Sequence, residues 1–171
     1  MIRKLIFIWI AISAVAIIVS CSSGVKSSRE KYSHEKEKDY YSSAELYDLS
    51  EDRQQVLEEA RKWLGVPYCY GGKTKDCADC SGFVMKIFET AGYVLPRKSS
   101  EQFTFCRKVN SDDIRPADIV FFADRGRINH VGIYAGGNQF IHSSSSQGVV
   151  KQSLNDSYYR NRLAGFGRII N

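Results

Sequence analysis

Apolar residues recur along this chain with three different rhythms, and each marks a separate stretch. Leu5 to Val19 is an almost unbroken apolar run behind Arg3 and Lys4. It is too short, and wrongly flanked, for a membrane-spanning helix. From Ser50 onward the spacing becomes helical. Val56, Leu57, Ala60, Trp63 and Leu64 form one stripe, with Ser50 in the capping position, Glu51 and Asp52 in the first turn, and Gly65 then Pro67 at the end. A second stripe of Phe83, Val84, Ile87, Phe88 and Ala91 opens at Cys80 and stops at Gly92. A short third helix is expected near Ser100–Phe105. Beyond it the pattern turns strand-like. Asp118–Ala123, His130–Ala135, Gln139–Ser143, Val149–Gln152 and Phe166–Ile170 are short, β-rich and separated by Gly, Asn or Ser. Helices first and strands afterwards predict an α+β domain with an antiparallel sheet.

The first rhythm reads as a signal peptide over residues 1–20. It ends Ile18-Val19-Ser20-Cys21, which resembles the bacterial lipobox and implies a lipid on Cys21 as the mature N-terminus. Residues 21–49 follow as a tether rich in Ser, Lys, Glu and Tyr with no apolar period. His34 lies in its mixed-charge run and has no assigned role. Residues 50–171 form the single folded domain. The formal charge is +5; without residues 1–20, which carry Arg3 and Lys4 and no acid, 22 basic side chains face 19 acidic ones, or +3. So mild a balance, with no basic patch interleaved with aromatics, excludes nucleic acid as an expected partner and suits an anionic polymer weakly.

The candidate chemistry starts at Cys80. A sulfur in the first turn of a helix meets unpaired N–H groups and the positive end of the dipole, which favour a thiolate near neutral pH. His130 and His142 supply a base and an orienting group. They are twelve residues apart around Gly136-Gly137. A three-residue loop, Ala135-Gly136-Gly137, would set Tyr134 across from Asn138, Val131 across from Ile141 and His130 across from His142 on one face. A two-residue loop would put the imidazoles on opposite faces. Cys77-x-x-Cys80 with the two histidines also allows a zinc reading, but no second Cys pair stands at metal spacing. A redox pair lacks the preceding βαβ pattern. If Cys80 stays a thiol, Cys69, Cys77 and Cys106 permit one disulfide, of undetermined pairing.

Together these stretches resemble the NlpC-type cysteine peptidases, bacterial cell-wall hydrolases with a compact papain-like fold. The resemblance runs from about Val56 to Ile170. It includes Gly65-Val66-Pro67-Tyr68 with Gly71-Gly72, Asp79-Cys80-Ser81-Gly82-Phe83, Leu95-Pro96-Arg97 with Gln102, Arg115-Pro116-Ala117-Asp118, His130-Val131-Gly132-Ile133-Tyr134 and Phe140-Ile141-His142-Ser143. It implies Cys80 as nucleophile, His130 as general base, His142 as the third, orienting residue and Tyr68 beside the oxyanion. Asp79 and Ser81 match positions that in some members hold the free amino end of a stem peptide. The chain departs from the pattern in Ala117, where the family usually has Gly, in Tyr70, and in the added Cys69 and Cys77.

The layout looks most like the short Spr-type outer-membrane murein endopeptidases. It implies a monomer, anchored through Cys21 in the outer membrane and facing the periplasm, acting on peptidoglycan stem peptides without a cofactor or metal. A non-catalytic wall-binding lipoprotein, or an amidase or acyltransferase on the same fold, is the alternative.

Overall fold

The computed structural model describes residues 49–171. The signal peptide, Cys21, His34 and nearly all of the tether lie outside the described residues. Helix α1 (Glu51–Lys62) buries Val56, Leu57 and Ala60, as its stripe requires. Ser50 sits in the capping position but makes no side-chain cap; its backbone carbonyl accepts from Gln54 N. The chain turns away at Gly65, whose φ of 85° is the left-handed conformation that ends helices. Helix α2 (Cys80–Thr90) follows and α3 (Ser99–Phe105) completes the helical layer.

Six strands form one antiparallel sheet in the order β1-β6-β2-β3-β4-β5. They are β1 (Arg107–Val109), β2 (Ile119–Asp124), β3 (Arg127–Gly136), β4 (Gln139–Ser144), β5 (Gly148–Ser153) and β6 (Leu163–Arg168). The α+β expectation is therefore borne out. Edge strand β1, one turn of 3₁₀ helix at Ser111–Asp113 and the short helix α4 (Ser157–Arg160) were not legible, being too short to show a period.

The alternation within strands divides the sheet into two faces. Ile119, Phe121, Val131, Ile133 and Ile141 pack with the helices in the main core. Val120, Phe122, Tyr134, Phe140 and Phe166 form a second apolar cluster with Tyr159 of α4. Helix α2 packs against β3 and β4, which brings its first residue to the sheet.

The β3–β4 hairpin corrects the expected register. The loop has two residues, Gly137 and Asn138, with φ of 54° and 58°, the doubly left-handed turn that fits strand twist. Ile133 faces Ile141 and Tyr134 faces Phe140, not Val131 with Ile141 or Tyr134 with Asn138. A two-residue loop alone would have separated the histidines. The register shifts between Tyr134 and Gly136, so Ala135 is an extra residue in β3. That bulge restores the parity the loop breaks. His130 and His142 share a face, displaced diagonally rather than directly opposed.

Candidate active site

Helix α2 starts at Cys80 because Asp79 caps it. The Asp79 carboxylate accepts from Gly82 N at 2.7 Å and from Gly71 N at 2.9 Å. Gly82 is required here: a Cβ would lie 2.2 Å from Gly72 O. The cap thus fastens the Gly-rich loop to the helix start. A disulfide joins Cys69 to Cys77 across the same loop, with Cα atoms 5.5 Å apart. Among the described residues, Cys80 and Cys106 remain as buried thiols.

Cys80, His130, His142 and Tyr68 line one cavity of about 510 Å³. Backbone amides of Val131, Ser81 and Cys80 itself favour the thiolate, but burial outweighs them and the Asp79 carboxylate adds to it. Together they push the Cys80 thiol up to about 11. The free protein therefore carries a neutral thiol at neutral pH, contrary to the expectation from the helix start alone. Burial also raises Tyr68, with Cys80 and Asp79 adding to the effect.

His130 Nε2 and His142 Nδ1 are 2.8 Å apart, with the rings at 90°. Continuing the β3–β4 register sets Gly132 across from His142. A Cβ at Gly132 would meet His142 Cβ at 3.0 Å and Ile141 O at 2.8 Å. The bare glycine is what lets the His142 ring lean across the diagonal. Phe140 stacks on His142 with centroids 4.7 Å apart, and Phe122 flanks His130 at 5.7 Å. This apolar jacket holds both imidazoles neutral. Burial pushes His130 down to about 3, with His142 contributing. Burial likewise pushes His142 down to about 4, against its hydrogen bond to the Gln152 carboxamide oxygen, which raises it.

Asp79 and Ser81 sit behind the cavity lining. Both are buried and neither lines the cavity. Arg97 donates to Asp79 Oδ1 at 2.9 Å and Oδ2 at 2.6 Å, and to Ser81 Oγ at 2.9 Å. Hydrogen bonds from Arg97 and from the Gly82 and Gly71 amides hold Asp79 below the usual carboxylate range despite its burial. The Asp79 carboxylate is matched by the Arg97 guanidinium.

Three contributors escaped sequence reasoning. Arg97 carried the signal of its position after Leu95-Pro96, but its ion pair to Asp79 crosses a loop. Gln152, from β5, places Oε1 2.6 Å from His142 Nε2, and the Tyr159 hydroxyl lies 3.4 Å from the same nitrogen. No spacing rule points to either.

The match to the NlpC/P60 family covers residues 65–168. The chain belongs to the NlpC/P60 family. It is 33% identical to the Escherichia coli protein named murein DD-endopeptidase MepS/murein LD-carboxypeptidase, over 93% of this chain and 91% of that one. It is 39% identical to the gamma-DL-glutamyl hydrolase of Bacillus subtilis, over 68% of this chain and 29% of that one. A crystal structure of an NlpC/P60 family protein from Bacillus cereus superposes with a TM-score of 0.68 at 29% identity, covering 70% of this chain and 40% of that one. The NlpC/P60 match begins at Gly65 and so takes in the disulfide loop, Cys80 and both histidines, leaving α1 outside.

Proposed function

We propose that this protein is a cysteine peptidase that hydrolyses amide bonds in peptidoglycan stem peptides, with Cys80 as nucleophile, His130 as general base and His142 as its orienting partner. The observation that carries this is the convergence of a helix-start thiol and a linked imidazole pair in one cavity. Because thiol and imidazole are both neutral, the proton moves to His130 as sulfur attacks the carbonyl. The Cys80 N–H and the Tyr68 hydroxyl stand beside the developing oxyanion. His130 then protonates the leaving amine, and water hydrolyses the thioester.

Two bonds fit this chemistry: the D-glutamyl–diaminopimelate link and the D-alanyl–diaminopimelate cross-link. The cross-link is favoured because Asp79, the carboxylate that the resemblance assigns to a peptide amino terminus, is already paired with Arg97. The near full-length match to a protein named a DD-endopeptidase supports the same choice. On this reading the domain is a monomer tethered to a lipid at Cys21 in the outer membrane, facing the periplasm; the lipobox-like segment supports the lipid anchor.

Digestion of purified muropeptides with mass analysis tests both parts. Conversion of cross-linked dimers to monomers is expected. Release of fragments cut after D-glutamate transfers the assignment to the other bond, and no cleavage of either returns the domain to the wall-binding class. Fractionation of cells carrying Cys21→Ala tests the anchor, with loss of membrane association expected.

A further inference from the structure

The proposed chemistry needs a bare nitrogen of His130 toward Cys80, and the Cys80–His130–His142 set does not by itself say which nitrogens carry protons. Gln152 does. His142 is fully buried, and its Nε2 lies 2.6 Å from Gln152 Oε1. A carboxamide oxygen only accepts, so His142 carries its proton on Nε2 and keeps a lone pair on Nδ1. That Nδ1 is 2.8 Å from His130 Nε2. His130 must therefore donate from Nε2, which leaves its Nδ1 bare. The sheet register delivers the first link: Gln152 faces Phe140, two residues before His142, so its side chain rises on the imidazole face.

We propose that Gln152 is a positioning residue, acting through His142, that sets the proton arrangement of both imidazoles and readies His130 to receive the Cys80 proton. This rests on the peptidase reading above. Tyr159 cannot make the same selection. Its hydroxyl is farther, at 3.4 Å, and rotates to donate as well as accept. The remaining groups facing His142 are His130 from β3 and the Phe140 ring from β4, and Cys80, Asp156 and Arg162 line the shared cavity. Protonating His142 would reverse the arrangement. Its Nδ1–H would point at His130 Nε2 and force the His130 proton onto the nitrogen that Cys80 needs.

The test uses the full-length protein with ¹⁵N-labelled histidine. Long-range proton–nitrogen spectra at neutral pH are expected to show both imidazoles protonated on Nε2. Gln152→Met removes the acceptor: His142 is expected to lose its single tautomer, and kcat to fall by at least about tenfold with a smaller change in KM. Gln152→Glu keeps the acceptor and adds a charge. The acid limb of its pH–rate profile is expected to move up by about one pH unit or more, with activity recovering above it. An Nδ1-protonated His142 in the wild type overturns the proposal. So do unchanged tautomers and an unchanged pH profile in both variants, whatever happens to their melting temperatures. Should the wild type cleave no stem peptide, the peptidase reading fails while the spectra still decide the tautomers.

Discussion

Asp118 and His142 are both fully buried in this sheet, and their surroundings treat charge in opposite ways. Asp118 sits just before β2. Arg53 donates to its Oδ1 twice at 3.2 Å, Arg168 donates to Oδ1 at 2.8 Å and Oδ2 at 2.6 Å, and Arg115 N completes the set at 2.8 Å. Arg53 also donates to the carbonyls of Pro116 and Ile170, so α1, β2, β6 and the C-terminal segment are fastened at one point. His142 instead has aromatic rings, one imidazole, one carboxamide and one hydroxyl. Arginine cannot shed its proton, so burying it demands counter-charge and carbonyls. Histidine can shed its proton, so burial makes it neutral. One cluster holds the fold in place; the other keeps a proton free to move.

The largest expected effect separates the two clusters directly. Cys80→Ala should abolish muropeptide cleavage and His130→Ala should reduce it by roughly 10²–10⁴-fold, with His142→Ala costing less. All three should retain cooperative melting. Cleavage at the wild-type rate in Cys80→Ala would end the nucleophile assignment.

Asp118→Ala should do the reverse. Removing it leaves two buried guanidiniums without a counter-charge, a loss of about 3–5 kcal/mol in urea unfolding. The protein that remains folded should cleave as fast per molecule as wild type. A stable but inactive Asp118→Ala would dissolve the division.

Acid sharpens the comparison. Both histidines titrate lower in the folded state than the ordinary value of 6.5. The unfolded chain therefore binds protons first, so stability is full above about pH 6.5 and falls below it. The slope should reach up to about 1.4 kcal/mol per pH unit for each histidine, until the folded values of about 4 and 3 are passed. His142→Phe should flatten this slope in denaturant titrations at graded pH.

Alkylation by iodoacetamide reads the neutral thiol. Cys80 in the free protein should react slowly at pH 7 and faster toward pH 11, since burial and Asp79 push it up to about 11. The buried Cys106, raised by burial to about 12, should lag behind. Rapid labelling of Cys80 at neutral pH would mean a preformed ion pair with His130.

The smallest effect tests the turn beside Asp118. Ala117 has φ of 70° and is buried. Ala117→Gly relieves a left-handed strain of about 1–2 kcal/mol. It also loses a buried methyl worth about 0.8 kcal/mol and adds about 0.4–1 kcal/mol of unfolded-chain freedom. The net change in unfolding free energy should lie within about 1 kcal/mol of zero. A larger loss would mean that the Ala117 methyl, not the backbone, holds the turn.

Local order was already written in the sequence. Apolar period located α1, α2 and five strands, and Cys80 at an apolar helix start with two later histidines named the candidate site. These signals are local, because a stripe or an alternation is a property of a few consecutive residues. The shared face of His130 and His142 was anticipated, but through a loop the protein does not use. The two-residue turn and the bulge at Ala135 cancel each other, and only pairing across the sheet fixes that sum. Tertiary structure alone decided the rest. It matched Asp79 with Arg97, brought Gln152 to His142, joined Cys69 to Cys77 and buried Cys80 deeply enough to overrule its helix start. Each of these depends on desolvation or on partners from distant elements, and neither is written in the neighbouring residues.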